Sequence, residues 1–278
     1  MKPVNYDIQQ YQNYVRGRTM QPAQMTAWTT AFSSRLPGRR PLYGLDLGSG
    51  TGRFTPALAA EFGPVTGVEP ATKMRQIAEA EAAHPDVTYL SGSAEAIPMP
   101  DESVDYTLMF LTWHHVQDKA RAASELARVT RPGGMLLLRS QFRDHMPRLW
   151  WLEYFPRGLE ADASTFEPLA EVIAVFADAG WEVSDFAEIA EPPVGTRAEV
   201  LDRLRLRPFS IFERLTPEEV AIGFERLERA VAADPDAPAP RYRPTLLTLA
   251  RPGTSRTRQN ARSRGKQGTA PNGAGRAD

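Results

Sequence analysis

The stretch Tyr43–Gly52, YGLDLGSGTG, holds the residue types that could grip a ligand through bare backbone. Leu42, Tyr43, Leu45 and Leu47 read as strand, and they lead into Asp46, Gly48, Ser49, Gly50 and Gly52. A strand that ends in a glycine-spaced turn and opens a helix brings N–H groups up to a ligand. Glycine turns tightly and leaves no Cβ in the way. The following RFTPALAAEF has helical character, so the turn sits between strand and helix. A glycine triplet alone is also what a plain tight turn requires. The next strand, Pro64-Val65-Thr66-Gly67-Val68, ends at Glu69. A carboxylate at that point can accept two hydrogen bonds from ribose hydroxyls. The two motifs in register across one βαβ unit point to a nucleoside site. The third glycine comes one residue earlier than in the dinucleotide pattern G-x-G-x-x-G, which argues against a nicotinamide-dependent oxidoreductase.

The elements that would position these residues alternate. The patterning predicts helices over 53–62, 71–83, 118–130, 165–179, 197–207 and 217–233, and strands over 64–69, 87–91, 104–111, 135–140, 181–189 and 244–250. Residues 104–111, VDYTLMFL, are nearly all apolar, as a strand buried on both faces should be. Pro132-Gly133-Gly134 is expected to end the helix before it. Residues 5–36 read as polar and partly helical. Strands separated by helices imply an α/β fold with a parallel sheet covered on both sides. Ligands in such sheets bind beyond the carboxyl ends of the strands, where the strand order reverses.

At 278 residues the chain can bury one large core. It has 33 basic and 34 acidic residues, unevenly spread. Residues 251–278 hold seven basic residues and one acid, a net +6, which leaves −7 for residues 1–250 of a chain whose total is −1. An acidic body argues against a nucleic-acid face on the catalytic part. The tail from Pro252 lacks hydrophobic periodicity and is expected to be disordered. With no Cys there are no disulfides or thiolate metal sites, and the acids show no ligand spacing, so no metal is expected. The start, MKPVNYDIQQ, lacks the apolar segment of a signal peptide, and no apolar run nears the ~20 residues that span a bilayer. The expectation is a cytoplasmic protein without a membrane contact. Nothing in the pattern fixes an oligomeric state.

Four motifs now stand in order: D-L-G-S-G-T-G, V-T-G-V-E-P, G-S-A-E-A-I-P-M-P-D-E-S-V-D and R-V-T-R-P-G-G-M-L-L-L, covering residues 43–140. Together they resemble the class I S-adenosylmethionine-dependent methyltransferases, and within them the small-molecule branch related to the ubiquinone/menaquinone enzymes. The resemblance implies a doubly wound, mostly parallel seven-stranded sheet, with 244–250 as a final antiparallel strand, under a helical cap. It implies one methyltransferase domain over 1–250, with cap segments at about 1–37, 141–163 and 191–240, followed by the tail 251–278. It implies S-adenosyl-L-methionine as cofactor and methyl transfer to a small-molecule substrate. On this likeness the Gly48–Ser49–Gly50–Gly52 backbone approaches the methionine part and Asp46 orders the loop and the amino group. Glu69 binds the ribose, and Pro70 and Met74 line the adenine pocket. Tyr14 and Arg18 close over the methionine end. The family usually has Asp where this chain has Ser93, so Ser93, or the Ala94 and Glu95 backbone, stands in for the adenine contact.

Sulfonium methyl transfer is an in-line displacement that needs positioning and exclusion of water more than covalent help. Trp113-His114-His115 follows strand 104–111. A histidine there can act as general base near neutral pH, with His115 slightly preferred over His114. Otherwise one histidine packs or bonds the loop and Trp113 is core. Trp150, Trp151, Tyr154 and Phe155 crowd the insertion 141–163, as an apolar substrate wall or as a staple for the lid itself. A wall would favour an apolar or planar acceptor. Two alternatives to small-molecule methylation are an RNA methyltransferase that uses the basic tail and a cofactor-binding protein without turnover.

Overall fold

The computed structural model describes residues 20–193, 195–207 and 209–253. Tyr14, Arg18 and the tail from residue 254 lie outside the described residues. The chain runs α1 (Pro22–Ser33), β1 (Gly44–Leu47), α2 (Thr55–Phe62), β2 (Val65–Val68), α3 (Thr72–Glu81), β3 (Val87–Leu90) and β4 (Val104–Phe110). It continues with α4 (Lys119–Val129), β5 (Thr130–Arg139), α5 (Gly158–Ala163), α6 (Leu169–Asp178), β6 (Glu182–Glu188), α7 (Arg197–Arg205), α8 (Pro217–Ala232) and β7 (Thr245–Ala250). The strands form one seven-stranded sheet in the order β3-β2-β1-β4-β5-β7-β6, with β7 antiparallel to both neighbours. The doubly wound, mostly parallel sheet expected from the sequence is therefore the fold. The strand order reverses between β1 and β4, which are paired with Asp46 opposite Leu108. That crevice is where an open α/β sheet takes its ligand.

Burial explains the layers. On one face α1 and α2 place Trp28, Phe32, Leu58 and Phe62 against Tyr106, Leu108, Leu137 and Leu246. On the other face α4 and α6 place Leu126, Val129, Val172 and Phe176 against Leu45, Leu47, Leu136 and Leu138. Alternate residues of β5 thus serve opposite layers, the period of two of a strand buried on both sides. A third core stands apart from both: Trp151, Leu152, Phe155, Leu204, Phe212, Val220 and Leu227 pack together in the cap. Its two main helices open with reciprocal caps, Thr196 with Glu199 and Thr216 with Glu219, which satisfy donors that a helix start leaves orphaned.

Two expected boundaries differ by more than two residues. Pro132-Gly133-Gly134 does not end the helix: α4 stops at Val129, and β5 begins at Thr130 and includes all three residues. Thr130 pairs with Val104 and Met135 with Tyr106, so residues 131–134 bulge opposite Asp105 alone. Gly133, at φ +82°, makes that bulge, and its N–H donates to the Arg251 carbonyl at 2.7 Å. The helix expected over 165–179 starts only at Leu169, because Pro168 occupies the cap in extended conformation. At the amino end of β4 the buried Asp105 accepts from the Tyr43 N–H at 2.8 Å and pairs with Arg39 and Arg131. Burial would raise its carboxyl, but these partners outweigh that and hold it below the ordinary value. That charge fastens the sheet end remote from the crevice.

Candidate active site

The glycine turn needs its glycines for two different reasons. Gly48, Gly50 and Gly52 have φ of +76°, +58° and +77°, a region that costs a residue with a Cβ roughly 1–2 kcal/mol. A Cβ on Gly48 would also run into the Thr112 side chain, whereas one on Gly50 would meet only Met74 Cε, at 3.7 Å. Among the described residues Gly50 thus faces open space, with Met74 as its buried neighbour. The turn is pinned from β2: the Gly48 and Ser49 N–H groups donate to the Val68 carbonyl at 2.8 and 3.2 Å.

Glu69, just past β2, is brought to the same turn. One carboxylate oxygen accepts from the Gly50 N–H at 2.9 Å and the other from the Ala71 N–H at 2.8 Å. Pro70 beside it is exposed. Asp46 is buried and accepts from Thr55 Oγ1 at 2.7 Å, which ties the loop to the first residue of α2. Its carboxyl is pushed up to about 6, mainly by burial. The Thr55 bond and the Arg53 charge pull it down, and the Glu69 charge adds to the rise. Asp46, Gly48, Ser49, Thr51, Arg53, Phe54, Phe110 and Leu111 line one cleft at the β1–β4 reversal.

In the third motif the side chains bond within the chain. Ser93 donates its hydroxyl to the Glu95 carboxylate, which also accepts from the N–H groups of Gln117 and Asp118. Burial would raise the Glu95 carboxyl; these donors outweigh it and hold it low. Glu95 thereby ties the 92–97 turn to the start of α4, and Ala94 is buried in the core between them. His114 and His115 sit in the short 3-10 turn Trp113–His115 after β4, with ring centroids 4.0 Å apart. His115 is exposed, and His114 is half-buried against Phe166 at 5.0 Å. Trp113 is core, 4.6 Å from the Phe176 ring. Of the aromatic insertion, Trp151 and Phe155 staple the cap, packing on Phe212 at 5.7 and 5.5 Å. They therefore do not form the substrate wall. Trp150 and Tyr154 remain half-exposed.

Sequence reasoning passed over several residues at this end of the sheet. Leu111 lies at φ +57°, a left-handed turn that no residue type at that position announces. Arg53, Phe54 and Phe110 line the cleft without belonging to a motif. Arg139 was legible: it is a lone charge closing the apolar run Met135–Leu138, and it is buried. Among the described residues there is no cluster of acids and histidines that could hold a metal, and no helix long and apolar enough to cross a membrane.

Residues 45–138 match the family described as a methyltransferase domain. An uncharacterized methyltransferase of Mycobacterium tuberculosis is 40% identical over 139 residues, 50% of this chain and 52% of that protein. The chain thus spans about half the length of the curated relatives it matches. Among solved structures, a protein of Anabaena variabilis named for a methyltransferase of an antibiotic biosynthesis pathway is similar. It is 25% identical with a TM-score of 0.68, over 84% of this chain and 99% of that one. A Haemonchus contortus phosphoethanolamine N-methyltransferase, solved with S-adenosylhomocysteine, shares the fold at 16% identity and a TM-score of 0.59, over 89% of this chain and 59% of that one. With the glycine turn, the β2 acid and the strand order in place, the chain is similar over residues 45–138 to methyltransferase domains and shares the fold of solved methyltransferases.

Proposed function

We propose that this chain transfers the methyl group of S-adenosylmethionine to a small-molecule acceptor with an apolar or planar body. The observation that carries the reading is Glu69 on Gly50: the acid after β2 is bonded to the turn after β1, so the groups that would bind ribose and methionine are held together beside the cleft. The residues fit the cofactor by shape as well. Among the described residues the left-handed backbone at Gly50 opens onto space bordered by Met74, and Glu69 is fixed beside it by its bond to the Gly50 N–H. Gly48–Gly52, Asp46, Glu69 and Met74 would hold the cofactor, which supplies an electrophilic methyl carbon on a sulfonium. The chain's own task is to place the acceptor behind that carbon and keep water out. Phe54, Phe110 and Leu111 give the cleft an apolar wall suited to a planar body. Where the acceptor carries an O–H or N–H, His115 or His114, at the carboxyl end of β4, would take the proton.

Calorimetry with S-adenosylmethionine and S-adenosylhomocysteine, with NADH as control, tests the cofactor half on wild type and Glu69→Ala. Binding of both sulfur ligands, lost in the variant and absent for NADH, is the expected result. Failure of both to bind wild type would end the enzyme reading. A screen that yielded only highly charged acceptors without an apolar body would end the acceptor half.

A further inference from the structure

Arg139 closes β5 in register with Phe110 of β4, so both side chains emerge on the same sheet face at the crevice end. The guanidinium lies between two rings, its carbon 5.6 Å from the Phe110 centroid and 5.7 Å from that of Tyr242. Nη2 donates to the Tyr242 hydroxyl at 2.9 Å. Nε and Nη1 are buried with no hydrogen-bond partner, and among the described residues no carboxylate lies within ion-pair distance of Arg139. A guanidinium has five donors, and here one is used. A charge removed from water with its donors unpaired is costly, and native structures seldom tolerate it without a partner.

The partner missing from this wall is an anion. Glu191 is the buried carboxylate on the same side, its N–H bonded to the Tyr242 carbonyl. Its own oxygens accept from Gln24 Nε2 at 2.6 Å and Trp28 Nε1 at 2.9 Å, both neutral donors. The fold thus spends neutral groups on the acid and leaves the base uncompensated. Tyr242 is committed similarly: its oxygen accepts from Arg139 and, at 3.2 Å, from Gln141 Nε2, which leaves the phenol proton to donate. A planar fork with a hydroxyl donor beside it matches a carboxylate.

We propose that Arg139 and Tyr242 form a carboxylate-binding subsite beside the methyl-transfer cleft, and that the carboxylate belongs to the acceptor. Phe110 is shared: it lines the cleft and stacks on the guanidinium. The methionine end of the cofactor also carries a carboxylate. The glycine turn follows β1, however, and Arg139 ends β5, with β4 between them, roughly 10 Å across at ordinary strand spacing. The inference rests on the cleft being the methyl-transfer site, and it narrows the acceptor to a planar apolar body bearing an anion.

Benzoate, its neutral counterpart benzamide, S-adenosylhomocysteine and carboxylate-free 5′-methylthioadenosine are the probes. Each is titrated by calorimetry, the first two onto protein saturated with S-adenosylhomocysteine. Wild type should bind benzoate at least about tenfold more tightly than benzamide, as charge-assisted bonds require. Arg139→Met should abolish that preference while leaving S-adenosylhomocysteine within about twofold, the scale of a change that touches no contact. Tyr242→Phe, which keeps the ring over the guanidinium, should reduce the preference in part and decides the matter if Arg139→Met does not fold. Equal binding of benzoate and benzamide to wild type overturns the subsite. Loss of S-adenosylhomocysteine, but not of methylthioadenosine, in Arg139→Met overturns the acceptor assignment, because the cofactor then supplies the carboxylate. No binding of S-adenosylhomocysteine to wild type removes the cofactor reading beneath the inference, a failure distinct from the other two.

Discussion

Asp46→Asn should make the free protein more stable and a worse cofactor binder. Asp46 is buried at 3% exposure, and its carboxyl is raised from 3.8 to about 6, with burial as the largest cause. A carboxyl whose folded-state pKa lies above its unfolded value opposes folding. The penalty is absent below pH about 4, grows as pH rises to about 6 and is constant above that. Two units at 1.36 kcal/mol each give about 3 kcal/mol at neutral pH. Asparagine removes the charge and keeps an oxygen for the Thr55 hydroxyl, and the raised value already includes the Thr55 bond. The net expectation is a gain of about 3 kcal/mol at pH 7.5 that vanishes toward pH 4. Urea unfolding of both proteins at pH 4, 5, 6 and 7.5 reads this directly. S-adenosylmethionine binding to the variant at pH 7.5 should fall by about tenfold or more, the value of one charge-assisted hydrogen bond. An active-site charge is often kept at such a cost to stability. Equal destabilisation of the variant at pH 7.5 and pH 4 would refute the claim that burial penalises this carboxylate.

Gly48→Ala should destabilise by more than the roughly 1–2 kcal/mol of left-handed backbone, because its Cβ also meets Thr112. A thermal melt within error of wild type would contradict that geometry. Ser93→Asp, made with Glu95→Gln to avoid two adjacent carboxylates, should tighten cofactor binding by about 1.5–3 kcal/mol through a charged contact to adenine. An unchanged or weaker Kd counts against that contact. With an acceptor in hand, His115→Ala should slow turnover by about 100-fold or more if His115 is the base, and His114→Ala should not. Rates within a few-fold for both variants would dismiss the pair. Phe212→Ala should loosen the cap core by about 3–5 kcal/mol, seen as faster proteolysis within 150–240, while S-adenosylhomocysteine binding holds.

The cofactor half was open to reading because its signals are local. Gly48, Gly50 and Gly52 declare a backbone conformation, and Glu69 stands at a fixed offset along one βαβ unit. The apolar run of β4 and the Thr-x-x-Glu starts of α7 and α8 are equally short-range. What escaped depends on distant partners. Pro132-Gly133-Gly134 looks like a helix stop, yet its backbone pairs with Arg251, more than a hundred residues on, and so belongs to a strand. Trp151 and Phe155 look like a pocket wall, yet Phe212 and Phe224 arrive from later helices to bury them. Arg139 signals itself as a lone charge in an apolar run, but only the approach of Tyr242 shows how it is placed. Leu111 has no sequence mark at all, since its left-handed turn is imposed from outside: its N–H is held by the Arg139 carbonyl at 2.8 Å.

The cap's separate core has an evolutionary consequence. None of its buried residues belongs to the two clusters that clamp the sheet, so substitutions that reshape it leave untouched the packing that fixes the glycine turn and Glu69. Distant substitutions of this kind combine nearly additively. A lineage could therefore exchange one acceptor for another by drift in the cap residues within 149–161 and 198–239, each step costing only the cap, while the nucleoside grip is inherited whole. The family match, confined to residues 45–138, stops before the cap's core residues begin.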